Sequence, residues 1–150
     1  MDKLPEFSLP DQNGEIINRE SLLGKYLVLY FYPKDNTPGC TIEAVEFSEK
    51  VKDFDNLNCQ IIGVSKDSVK RHKNFVEKKK LKITLLSDEE GWLLERSGVW
   101  QLKKMAGREY MGIVRTTFLI DLDGKVIEKW GKVKVKGHVD EVYEALKSLI

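Results

Sequence analysis

Two cysteines and two histidines are the side chains of this 150-residue chain best suited to covalent or metal chemistry. One of them, Cys40, stands in a context that gives its sulfur a task. It lies in Pro33-Lys34-Asp35-Asn36-Thr37-Pro38-Gly39-Cys40-Thr41, directly after the apolar run Leu27-Val28-Leu29-Tyr30-Phe31-Tyr32. Thr37 is a good N-cap, and Pro38 suits the first helical position because the N–H it lacks would have no helical partner there. Cys40 then falls in the first turn of a helix, where free N–H groups and the positive end of the helix dipole favour a thiolate over a thiol. Such a sulfur is a candidate nucleophile; the alternative is a small buried apolar side chain.

The remaining groups form no comparable set. Cys59, His72 and His138 show no C-x-x-C, H-x-x-x-H or other clustered ligand pair, so no metal and no cofactor is expected. The spacing places His72 on a helix flank and His138 near the start of the last helix. The alternating Lys132-Val133-Lys134-Val135-Lys136 reads either as a basic docking strip or as an exposed strand whose lysines discourage edge pairing. Trp92, Trp100 and Trp130 read as core or loop-anchoring aromatics.

The elements that must position Cys40 follow from periodicity. Residues 4–26 hold a turn at Asp11–Gly14 and a short helical candidate from Arg19 to Leu23, and together they suggest a hairpin edge. The six-residue run 27–32 has the continuous apolar character of a central strand covered on both faces. A helix is expected from about 38 to 55, with Ala44, Phe47, Val51 and Phe54 toward the sheet. A second interior strand follows at 59–65, then a helix capped by Asp67-Ser68 and running to about Lys79, with Val69, His72, Phe75 and Val76 along one side. A third strand is expected at Ile83–Leu86 and a helix after Ser87-Asp88, ending near Ser97-Gly98. Residues 99–115, broken by Gly107 and Gly112, read as a long loop or a partly extended segment. Two strands at 116–121 and 125–130 flank Leu122-Asp123-Gly124, a hairpin signal. A final helix at about 138–149 places Val139, Val142, Tyr143, Leu146 and Leu149 on one face. This order predicts an α/β fold with a central mixed β-sheet flanked by helices, in one domain spanning 1–150.

Composition excludes several partners. Twenty-five basic residues face 24 acidic ones, and the resulting formal charge of +1 gives no general reason to expect nucleic acid or a membrane surface. No apolar run approaches about 18 residues, and the N-terminus has no basic region followed by an apolar one, which points to a cytoplasmic protein. In that reducing setting a permanent disulfide between Cys40 and Cys59 is not expected.

The stretch Tyr30-Phe31-Tyr32-Pro33-Lys34-Asp35-Asn36-Thr37-Pro38-Gly39-Cys40-Thr41 resembles the active-site segment of peroxiredoxins, and more narrowly their Q-type, or bacterioferritin-comigratory, branch. The resemblance continues through Ile62–Ser65, Leu86–Asp88, Tyr110–Asp121 and Lys132–His138. It implies a thioredoxin-like fold and thiol-dependent reduction of hydrogen peroxide and organic hydroperoxides. It also implies that Cys40 is the peroxidatic nucleophile, that Thr37 presents its hydroxyl to sulfur and peroxide, that Pro33 shields the pocket and that Arg115 supplies a fixed positive charge. An arginine suits that task because it stays protonated and its forked donors hold two acceptors at once. Glu43, matching the same segment, either orients the site or simply favours the helix N-terminus.

One position departs from the branch. Many Q-type members carry a resolving cysteine five residues after the first, and here that residue is Val45. A sulfenic acid on Cys40 must then be resolved by an external thiol or by Cys59. Cys59 is 19 residues further on. A disulfide needs Cα atoms within about 7 Å, whereas a helix of some 16 residues first carries the chain roughly 24 Å, so a one-cysteine mechanism is expected. The external reductant is thioredoxin, glutaredoxin or a low-molecular-weight thiol, and the resemblance implies a monomer. The rival outside catalysis is a peroxide-responsive sensor or interaction protein in which Cys40 oxidation alters partner binding. A thiol–disulfide oxidoreductase is disfavoured because the C-x-x-C couple is absent.

Overall fold

The computed structural model describes residues 1–150. Its centre is β3 (Tyr26–Phe31), which alternates strictly: Val28 and Tyr30 enter one apolar cluster, while Leu27, Leu29 and Phe31 enter another. Successive side chains of a strand point to opposite faces, so a strand with no polar face must be covered on both sides. One cover is formed by α2 (Pro38–Glu49), α3 (Val51–Asn56), α4 (Val69–Lys79) and α6 (His138–Ser148), which contribute Ala44, Phe47, Phe54, Phe75, Val142 and Leu146. The other uses α1 (Arg19–Leu22) and α5 (Trp92–Arg96), through Leu22, Leu93 and Leu94, together with the N-terminal Leu4 and Phe7.

With β4 (Cys59–Ser65), β5 (Thr84–Ser87), β8 (Thr116–Ile120) and β9 (Val126–Trp130), the central sheet runs β5-β4-β3-β8-β9. β3–β4 and β4–β5 are parallel, and β3–β8 and β8–β9 antiparallel. This is the mixed, helix-flanked sheet that the order of elements predicts. A separate hairpin joins β1 (Ser8–Pro10) to β2 (Ile16–Asn18) around the Asp11–Gly14 turn.

Several expectations need correction. The helix expected from 38 to 55 is two helices: Lys50, at φ −96° and ψ 1°, donates its N–H to the carbonyl of Phe47, three residues back. That tightened turn redirects the chain so that Phe54 packs beside Phe47, with ring centroids 6.3 Å apart. Of the two readings of residues 99–115, a long loop or a partly extended segment, the second is the nearer: they contain an antiparallel hairpin, β6 (Trp100–Met105) and β7 (Arg108–Ile113). Most of its side chains are exposed on both faces, which removes the alternation that marks a half-buried strand. Its turn is Ala106-Gly107, both at positive φ (51° and 79°), a two-residue hairpin turn without the usual asparagine or aspartate. Residues 131–137 are not a strand, because Lys132 adopts φ 48° and breaks the extended chain after β9. Leu149 lies beyond the end of α6 and is half exposed, outside the core. Trp92 is likewise half exposed, with the Arg96 guanidinium 3.5 Å over its ring.

Candidate active site

Cys40 sits in the first turn of α2, which begins at Pro38 and is closed by the Thr41 N–H donating to the Thr37 carbonyl at 2.9 Å. The amides of Gly39 and Cys40 precede that bond, where helix geometry offers no acceptor, so the positive end of the dipole lies at the sulfur. The thiol is buried, only 2% exposed.

Arg115, immediately before β8, reaches it from the strand that pairs with β3, where Thr116 lies opposite Phe31. Its Nη2 donates to Cys40 Sγ at 3.3 Å, and its Nη1 donates to Glu43 Oε1 at 2.6 Å. Cys40 and Glu43 are three residues apart on α2 and therefore share a helix face, so one planar guanidinium spans both. Gly39 makes room for it: a Cβ there would stand 3.3 Å from Nη2. The Arg115 main chain is held in turn, its carbonyl accepting from the Val133 N–H at 3.0 Å.

Glu43 is fully buried, and its Oε2 has no partner. Burial disfavours its carboxylate and raises the pKa to about 7, with the Arg115 contact only partly opposing the rise. Burial also works against the Arg115 cation, but Glu43 and Cys40 more than offset it and hold the guanidinium above its ordinary value. The site thus combines a permanent cation, a sulfur at a helix start and a carboxyl poised near neutrality. Donors so placed can stabilise an anion that develops beside the sulfur.

The other candidate residues are placed as follows. Pro33 is half-buried at the end of the strand, on the loop leading to α2. The Thr37 hydroxyl donates to the Lys34 carbonyl at 2.8 Å and bridges its own loop, where the family resemblance implied contact with the sulfur. Val45 is half-buried against the core. Cys59 pairs with Tyr26 at the start of β3, whereas Cys40 follows that strand's other end. The five residue steps from Tyr26 to Phe31 alone span roughly 16 Å. Burial pushes the Cys59 thiol up to about 12, which disfavours the thiolate that thiol chemistry requires.

Two buried features were not legible in the sequence. The Tyr30 hydroxyl has no partner, and burial first, then the charges of Glu43, Asp35 and Cys40, hold its pKa well above the usual range. His72, expected on a helix flank, is fully buried, with Nδ1 2.7 Å from Asp35 Oδ2 and Nε2 2.9 Å from the Leu86 carbonyl. Helical spacing puts His72 beside Phe75, but nothing in it marks Asp35 as the partner. Asp35, Asp67 and His72 have the types and proximity of a metal-ligand set. Their donor atoms are instead committed to one another and to the main chain: Asp67 Oδ2 alone accepts from the Asp35 N–H and the Ser65 hydroxyl.

Comparison with known proteins matches the model of the AhpC/TSA family to residues 1–129. The chain belongs to that family. Among its relatives are peroxiredoxin Bcp of Bacillus subtilis, 50% identical over 98% of this chain and 94% of the relative, and peroxiredoxin Bcp of Escherichia coli K12, 40% identical over 97% and 94%. Of solved structures, the bacterioferritin comigratory protein of Xanthomonas campestris superposes with a TM-score of 0.91 at 42% identity, covering 95% of this chain and 90% of that one. Peroxidoxin BcpB of Mycobacterium tuberculosis gives 0.88 at 34% identity, covering 99% and 96%. The mixed, helix-flanked sheet is therefore a peroxiredoxin's thioredoxin fold, and the chain is a thiol-dependent peroxidase with a peroxide substrate and a thiol reductant.

Proposed function

We propose that Cys40 is the peroxidatic nucleophile of this peroxidase and that the enzyme works with one cysteine. The observation that carries this is the Arg115 guanidinium, which donates to the Cys40 sulfur while anchored on buried Glu43. The Cys40 thiolate attacks one oxygen of R–O–O–H, the O–O bond breaks, and sulfur is oxidised to the sulfenic acid Cys40–S–OH. The other oxygen leaves as alkoxide or hydroxide and takes a proton. Arg115 and the first-turn amides of α2 are placed to stabilise the charge as it passes from sulfur to oxygen.

An external thiolate then attacks Cys40 Sγ, forming a mixed disulfide and releasing hydroxide. A second thiol frees the Cys40 thiolate and leaves as the oxidised reductant. Val45 cannot form a disulfide, and Cys59 is distant and protonated, so neither competes. Thioredoxin, glutaredoxin and small thiols all fit this step, in a reducing cytoplasm where both cysteines stay free. Organic hydroperoxides are included among the substrates because the similar Xanthomonas protein is described by its alkyl peroxide reduction activity. Cys40, Arg115 and Glu43 meet within one chain, which supports a monomer as the catalytic unit.

Peroxide consumption with excess dithiothreitol tests this reading. Many equivalents should be consumed per chain. Consumption that stops at one equivalent would identify Cys40 as a sensor thiol.

A further inference from the structure

The largest set of buried polar side chains outside Cys40, Arg115 and Glu43 is built around the loop that joins β3 to α2. In Pro33–Thr37, Lys34 and Asn36 are exposed, Pro33 and Thr37 half-buried, and only Asp35 is buried. Asp35 is held on three sides. Its Oδ1 accepts from the Tyr32 hydroxyl at 2.5 Å, its Oδ2 meets His72 Nδ1 at 2.7 Å, and its N–H donates to Asp67 Oδ2 at 2.9 Å. His72 spans from this loop to β5. The Leu86 carbonyl only accepts, so Nε2 carries a proton and directs Nδ1 at Asp35. Asn36 in the same loop takes φ 62°, a left-handed conformation that asparagine adopts more readily than most other non-glycine residues.

A buried polar pair of this kind is weak evidence for stability, since well-packed apolar residues do as well. Its place in the fold suggests another use. The network fixes the segment carrying Pro33 and Thr37 through Asp35, whereas the Cys40 sulfur is held by Arg115, which makes no hydrogen bond to that segment; the segment meets α2 through the Thr41 N–H on the Thr37 carbonyl. We propose that His72, acting through Asp35, is a positioning residue that sets the Pro33–Thr37 loop over Cys40 for reaction with peroxide and leaves ionisation of the sulfur untouched. This rests on Cys40 being the peroxidatic residue.

Two rates read at Cys40 test the proposal in the full chain: oxidation by hydrogen peroxide, followed by stopped flow, and alkylation by iodoacetamide across pH. The amide nitrogen of asparagine occupies the place of Nδ1, and that of glutamine the place of Nε2. His72→Asn therefore keeps the bond to Asp35, while His72→Gln keeps only the bond to Leu86. We expect His72→Gln to lose at least tenfold in the peroxide rate, with alkylation rate and pH midpoint within twofold of the parent, and His72→Asn to stay within threefold in both. Asp35→Ala and Asp35→Asn repeat the comparison independently of whether the His72 variants fold, because an asparagine amide donates to Nδ1 of a neutral imidazole. Equal peroxide rates in His72→Gln and the parent would overturn the proposal, as would equal losses in both rates or an equal loss in His72→Asn. A parent protein whose Cys40 fails to react with peroxide would overturn the Cys40 mechanism itself.

Discussion

Cys59 and Cys40 stand at opposite ends of β3: Cys59 pairs with Tyr26 at its start, and Cys40 follows its finish. The parallel β3–β4 pairing imposes this separation, since α2 and α3 must return the chain to the sheet edge from which β3 set out. The Cys59 sulfur is thereby confined to the core. Cys59→Ser should retain peroxide turnover with dithiothreitol within about twofold of the parent, while Cys40→Ser should lose it, and equal activity of the two variants would count against Cys40.

Oxidation without a reductant gives a second readout. Peptide mapping after treatment with excess peroxide and no thiol should find one or two oxygen atoms added to Cys40 and a reduced Cys59. A stoichiometric Cys40–Cys59 disulfide in the intact mass would overturn the one-cysteine mechanism.

Replacing Arg115 by lysine keeps a charge but loses the fork that holds Cys40 and Glu43 together. A lysine donates as a single point charge and cannot preserve both contacts. Arg115→Lys should slow Cys40 oxidation by about 10²-fold, in the range found on removing one aligned donor to a developing oxyanion. Stopped-flow rates within twofold of the parent would show that the guanidinium geometry is dispensable.

Glu43 makes stability depend on pH with a definite sign. Its carboxyl is raised from 4.5 to about 7 in the folded protein, chiefly by burial, so the folded state binds the extra proton. Its contribution is fully present below pH 4.5 and is lost as pH rises through about 7. Urea titrations should show this carboxyl lowering stability by roughly 3 kcal/mol across that window, and Glu43→Gln should remove that component of the slope. An unchanged slope in the variant would place the proton elsewhere.

Gly63 on β4 is required by the Tyr30 ring beside it. A Cβ at this position would lie 2.7 Å from Tyr30 Cζ and 2.9 Å from Leu85 Cδ2, inside van der Waals contact. Gly63→Ala should therefore destabilise the fold by about 1–3 kcal/mol, measured by chemical denaturation, and Tyr30→Phe should not relieve it because the ring carbons remain. A variant as stable as the parent would mean that β3 and β4 shift apart readily.

Local chemistry made much of this protein legible in the chain. The unbroken apolar run 27–32 announces a strand with two covered faces, and Thr37-Pro38 places Cys40 at a helix start. Leu122-Asp123-Gly124 marks a hairpin through its own turn preferences. These signals are written within a few residues of where they act. The hairpin at 100–113 was not legible because exposure on both faces leaves no period, and the break at Lys50 because both halves keep their apolar residues toward the core.

Only the tertiary structure brings Arg115 to Cys40 across 75 positions and His72 to Asp35 across 37, and only it removes Glu43 from water. Burial is a property of the assembled layers and not of a residue type, so the sequence singles out Cys40 as the candidate nucleophile while the packing of α2 against the sheet decides the charges around it.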